Sequence, residues 1–117
     1  MKPVFRRVIL FVDNVRECAR FYVEHFEFEH ATEQENDEWM ELRGGGFLLA
    51  FHRAHGGGGG DGADHPHKLV FAVGSVEEER RKLMENGVAM GEVVDAGELK
   101  FCNGRDPAGY MFQISNR

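Results

Sequence analysis

Four of the six histidines fall in one short stretch, at His52, His55, His65 and His67. Imidazole nitrogen together with a carboxylate suits Zn, Ni, Fe or Mn, and Glu41 is a carboxylate that could join them. The bland reading is strong for three of the four. His55, His65 and His67 flank a run of five glycines, Gly56 to Gly60, where solvated side chains are the ordinary case, although His65-Pro66-His67 can also take up stray nickel or zinc. The glycine run is not a phosphate-cradling loop, because no Lys-Ser/Thr follows it and no strand-to-helix context surrounds it. It reads as a flexible connector. Ser75 and Ser115 lack a neighbouring His-Asp pattern, so no nucleophile constellation is visible. Cys18 and Cys102 are not in a Cys-x-x-Cys pair and read as thiols of a reducing compartment. Cys18 also falls on the expected buried face of a helix, which makes it core rather than reactive.

The elements that must position these residues follow from hydrophobic periodicity. Val8 to Val12 is a short apolar run ended by Asp13-Asn14, which reads as a buried strand followed by a helix cap. Val15, Cys18, Phe21, Tyr22 and Phe26 recur at helical spacing, with Arg16, Glu17, Arg20 and Glu24 on the other faces. This predicts a helix over about 14–26. Strands are expected at 28–32, 39–43 and 47–53. The pattern then repeats: a strand at 69–73, Ser75 with Glu78 as a capping box, a helix over about 76–86 ended by Asn86-Gly87, and strands at 88–95, 99–103 and 110–115. Val12 and Val73 hold equivalent places, 61 residues apart. Two units of this kind, each unable to bury its sheet alone, would pair into one domain.

A chain of 117 residues with ten Phe and 42% hydrophobic residues has enough apolar side chain for a core. Fourteen basic against twenty acidic residues give a net charge of −6, shared evenly between the halves. No block is basic enough to neutralise a nucleic-acid backbone, so nucleic acid is not an expected partner. The apolar run after the basic N-terminus is too short for a signal peptide, and nothing is long enough for a membrane span. A cytoplasmic protein is expected.

Two segments resemble the glyoxalase/bleomycin-resistance/dioxygenase family, the vicinal oxygen chelate group. Val12 to Phe28 is similar to the family's first strand end and helix, with its Phe21-Tyr22 pair. Arg105-Asp106-Pro107-Ala108-Gly109-Tyr110 is similar to its Asp-Pro-x-Gly turn into the last strand. Phe71 to Val88 matches the second strand-helix unit. Glu27 departs from the pattern, since the family usually has Gly there. The resemblance implies an α+β fold of two βαβββ modules whose curved mixed sheets enclose a cleft. The chain is then one domain of two modules, about 1–55 and 66–117, joined by the glycine-rich linker.

The family's enzymes usually hold a divalent metal in that cleft, with His or carboxylate ligands on four strands. Counting along the motifs, those positions fall on Arg6, Ala50, Lys68 and Gln113. Two are cations and none is a good ligand, so no metal or other cofactor is expected. A local slip would bring in His67 or His52, with Glu41 as the carboxylate. Arg6, Ala50, His52, Lys68 and Gln113 are therefore candidate ligand-binding residues, and no catalytic residue is assigned. The resemblance implies a metal-free module that binds a small molecule, as in the bleomycin-resistance branch. The alternative is a metal-dependent lyase, isomerase or thiol transferase of the glyoxalase kind. The acidic net charge favours a cationic ligand, whereas Arg6, Lys68, His52 and Gln113 favour an anionic one. Site residues outweigh long-range surface charge, which salt screens. A homodimer is expected, since two open sheets leave edges and apolar surface to cover.

Overall fold

The computed structural model describes residues 6–54 and 68–116. Most of the glycine-rich linker, together with His55, His65 and His67, lies outside the described residues. The chain divides into two compact units, the first ending at Gly60 and the second starting at Asp61.

Unit one runs β1 (Arg7–Val12), α1 (Val15–Phe26), β2 (Glu29–His30), β3 (Trp39–Gly44) and β4 (Phe47–Arg53). Its sheet order is β1-β4-β3-β2, with β1 parallel to β4 and the other pairs antiparallel. The β3–β4 hairpin turns on Gly45 and Gly46, both at positive φ (61° and 85°). A two-residue turn with two left-handed positions is what the twist of paired strands selects. Helix α1 covers one sheet face. Val15, Cys18, Ala19, Phe21 and Tyr22 turn inward against Leu10, Val12, Met40, Leu42, Leu49 and Phe51, all buried. Tyr22 stacks on Phe51 with ring centroids 5.5 Å apart.

Unit two repeats the order with β5 (Leu69–Ala72), α2 (Val76–Glu85), β6 (Val94–Ala96), β7 (Leu99–Arg105) and β8 (Met111–Ser115). The sheet order is β5-β8-β7-β6, again with the first and last strands parallel. Ser75 caps α2 as expected, its Oγ accepting the Glu78 N–H at 3.2 Å. The buried apolar set is smaller here: Val76, Leu83, Cys102, Ala108, Phe112 and Ile114.

Two strands are shorter than their patterns suggest, and irregular pairing explains both. The N–H groups of Ala31 and Thr32 both donate to the Glu41 carbonyl, at 2.8 and 3.2 Å. Two residues then oppose one, a bulge that ends β2 at His30. In unit two, Met90 bridges Gly104 and pairing resumes at Val94 opposite Phe101. One residue more lies on the first side than on the second, so regular β6 begins only at Val94.

The exit of α1 bears on the one departure from the family pattern. Glu27 adopts the left-handed conformation, φ 58°, the only non-glycine residue with positive φ among those described. The end of α2 meets the same need with Gly87, φ 81°. A side chain in this region is disfavoured by contact between Cβ and the following carbonyl. Glu27→Gly should therefore stabilise the chain by about 0.5–1 kcal/mol, read as a higher chemical-denaturation midpoint. An unchanged or lower midpoint would mean that the glutamate side chain contributes more than its backbone conformation costs.

Candidate functional site

The face of each sheet turned away from its helix carries the polar and aromatic side chains. In unit one, β1, β4 and β3 set them in three rows: Arg7–Leu48–Arg43, Ile9–Ala50–Glu41 and Phe11–His52–Trp39. The third row is aromatic. His52 lies 5.3 Å from Phe11 and 5.9 Å from Trp39, centroid to centroid. The His52 Nδ1 is 2.8 Å from the Arg53 carbonyl. A carbonyl can only accept, so Nδ1 is the donor in this contact.

Arg7 reaches across to Glu41 with two contacts, Nε to Oε2 at 2.5 Å and Nη2 to Oε1 at 3.4 Å. The hydrogen bond to Glu41, working against a weaker effect of burial, holds the Arg7 guanidinium above its ordinary pKa. The two side chains form a salt bridge. The bulge that takes two N–H groups to the Glu41 carbonyl fixes the backbone from which this carboxylate projects.

Unit two repeats the layout with different chemistry. Its rows are Val70–Gln113–Asn103 and Ala72–Ser115–Phe101, with Lys68 just ahead of β5. Lys68 Nζ donates to Asn103 Oδ1 at 3.2 Å. Gln113 Nε2 donates to the same oxygen at 3.1 Å. The Asn103 carbonyl accepts the Gly91 N–H at 2.8 Å, beside the irregular pairing of this unit. Lys68, Asn103 and Gln113 therefore stand where Arg7, Glu41 and Ala50 stand in unit one.

Of the residues singled out from the sequence, Lys68 and Gln113 come together on Asn103. Ala50 and His52 share one face of β4, Ala50 fully buried between Ile9 and Glu41. Arg6 stands apart, immediately before β1. Its carbonyl accepts the Leu48 N–H at 2.8 Å, and it lines a groove of about 510 Å³ with Glu27, Glu29, Arg43, Phe47 and Leu48. Strand alternation gives the place beside Ala50 to Arg7. Asn103, Phe11 and Trp39 were not singled out from the sequence. The repeat spacing of 61 residues sets Glu41 against Cys102, so only the strand register pairs Glu41 with Asn103.

A guanidinium, a methyl group, an ammonium and a carboxamide do not make a donor set for a divalent cation. Glu41, the nearby carboxylate, is committed to Arg7. Among the described residues, no three His, Cys, Asp or Glu side chains cluster as a metal site would require. Nor is any helix among them long and apolar enough to cross a membrane.

Residues 7–115 match the family model for the glyoxalase-like domain. The chain belongs to the glyoxalase-like family. No curated protein matches the sequence. Among solved structures, it is similar to a fosfomycin resistance protein from Listeria monocytogenes, in complex with Mn(II) and a dihydroxypropylphosphonic acid. There the TM-score is 0.81 at 13% identity, covering 100% of this chain and 94% of the other. It is also similar to an antibiotic binding protein from Streptomyces sp. CB03234, with TM-score 0.75, 17% identity and coverage of 97% and 94%. A lactoylglutathione lyase from Agrobacterium tumefaciens gives TM-score 0.72, 15% identity and coverage of 97% and 93%. At these identities the likeness is one of fold.

The remaining groups with reactive potential in this glyoxalase-like chain serve structure. Cys18 and Cys102 are free thiols, both buried. Burial pushes the Cys102 thiol above its ordinary pKa, and its Sγ donates to the Gly91 carbonyl at 3.1 Å. Asp106 is buried in the β7–β8 loop, where its Oδ1 accepts the N–H groups of Ala108 and Tyr110, each at 2.9 Å. Gly109 closes the turn at φ 85°. The Asp-Pro-x-Gly signature is thus a loop held by a carboxylate. Asp106→Ala strands two amide donors and should destabilise the chain by about 1–3 kcal/mol, measured by urea unfolding. A loss well under this range would show that other contacts hold the loop.

Proposed function

We propose that this glyoxalase-like chain is a small-molecule-binding protein that works without a metal, takes an anionic ligand and acts as a homodimer. The observation that carries the reading is Lys68, just ahead of the first strand of unit two, which meets the neutral Asn103 amide that Gln113 also contacts. Lys68 and Gln113 are two of the places at which the family resemblance implies metal ligands. A positive side chain there repels a divalent ion and attracts carboxylate, phosphate or sulfate. The antibiotic binding protein of like fold supports binding as a role this architecture can serve. A metal-dependent lyase or transferase would need donors that the described residues do not supply.

Elemental analysis of tag-free protein, purified without chelator and then supplemented with Ni, Zn, Mn or Fe, should find well under one metal per chain. Stoichiometric metal would overturn the binding-protein reading in favour of the glyoxalase-type enzyme.

Exposed apolar side chains on the open faces support the dimer. Ile9, Phe11, Val70 and Val94 are 41–52% exposed, and β1, β2, β5 and β6 are edge strands. Both features call for cover, and two-fold pairing is the commonest solution among soluble proteins. Light scattering at low micromolar concentration should give twice the 13.3 kDa chain mass. A mass of one chain that persists at high concentration would rule the dimer out.

A further inference from the structure

The two open faces present their cations differently, and the difference lies in one facing residue. In unit one the Arg7 guanidinium meets the Glu41 carboxylate, which takes two of its nitrogens and cancels its charge. In unit two the Lys68 ammonium meets the neutral Asn103 amide. Among the described residues one of its three hydrogens is engaged, and no carboxylate meets it.

The Asn103 amide is also oriented. Its Oδ1 accepts from Lys68 and from Gln113 together. Gln113 is only 9% exposed, so the second of these donors is fixed in the sheet. With Oδ1 turned to both donors, amide geometry directs the Nδ2 hydrogens the other way. Asn103 thus holds Lys68 in place through a neutral oxygen, and the ammonium is the donor left to meet an anion. Arg105 lies on the adjoining row opposite Met111. No acidic residue occupies the described positions of this face on β5, β7 and β8. The unit-one face, by contrast, sets Glu41 and Glu29 beside Arg7 and Arg43.

We infer that the open face of unit two holds an oxyanion subsite built on Lys68, positioned by Asn103 and braced by Gln113, with Asn103 as the residue that sets the accepted charge. This rests on the reading of the chain as a binder of anionic ligands. The ligand class is a compact oxyanion, the phosphate or phosphonate type that an ammonium binds as a point charge. A carboxylate at position 103 would convert Lys68 into a neutral pair like Arg7–Glu41. Removing the carboxylate at position 41 would release Arg7 to bind an anion of its own.

The test is an NMR titration of the full-length chain with inorganic phosphate at low ionic strength, following backbone amide shifts. The parent should show saturable shifts on β5, β7 and β8. Asn103→Asp and Lys68→Ala should each weaken binding by at least about tenfold, since each removes net positive charge at contact distance. Glu41→Gln should add a second set of shifts, on β1 and β3. This arm tests the same rule if a change at Asn103 disturbs folding, which the parent-like amide spectrum of each variant checks. Parent-strength binding by Asn103→Asp, or no second set in Glu41→Gln, overturns the role of the facing residue while leaving the anion-binding reading in place. Parent shifts confined to unit one overturn the location. Absence of any phosphate shifts in the parent removes both the subsite and the anionic-ligand reading beneath it.

Discussion

A single helix can cover only one face of a four-stranded sheet. Each unit of this chain has one helix, and strand alternation sends every second side chain to the uncovered face. Once Leu10, Val12, Met40, Leu42, Leu49 and Phe51 are committed to α1, the alternate residues of β1, β3 and β4 have no choice of face. Parallel pairing of the first strand with the last adds the second half of the constraint. It sets the start of β1 beside β4 and the start of β5 beside β8, so that residues far apart in sequence share a row. Position on the open face is then set by register, and chemistry there by which residue each register position receives.

Much of this was legible from spacing. Both helices and the repeat itself follow from apolar periodicity, and the Ser75 cap of α2 from its residue type, whereas Asn14 makes no side-chain cap hydrogen bond at the start of α1. Their signals are local, spanning one or two turns. The short strands were not legible, because the pattern of apolar residues over 88–95 carries no mark of the extra residue that breaks its pairing. Among candidate site residues, Lys68 and Gln113 were reached through family positions. Of the two adjacent arginines, counting from a loop residue reached Arg6, and it does not reveal that Arg7 is the one sharing the parity of Ile9 and Phe11. Asn103 carried no signal of its own, because an amide in a strand acquires meaning only when the cross-strand partner is known. Glu27 was visible as an anomaly, and its left-handed backbone shows why glycine would be the ordinary choice.

The two units spend their hydrophobic residues unequally. Unit one packs Phe21, Tyr22, Phe28 and Phe51 into an aromatic core, and Phe11, His52 and Trp39 extend aromatic character to its open face. Unit two has few large buried side chains and leans on directed polar contacts: the Ser75 cap, the Asp106 loop and the Lys68–Asn103–Gln113 cluster. Such contacts are worth about 1 kcal/mol each, so they fix geometry more than they add bulk stability.

That division suits the chemistry each face carries. A charge is tolerated where water or oriented dipoles remain near it, and penalised where burial strips them away. On the apolar unit the cation is accompanied by a carboxylate, and Glu41 has only 14% of its side chain exposed. A lone ammonium in that setting would face a larger desolvation penalty. On the polar unit Lys68 stays exposed at the sheet end and is steadied by amide dipoles instead of a counter-charge. The cation that no described carboxylate meets thus lies on the face with fewer large apolar side chains, which is also where an incoming anion would find the least competition among the described residues.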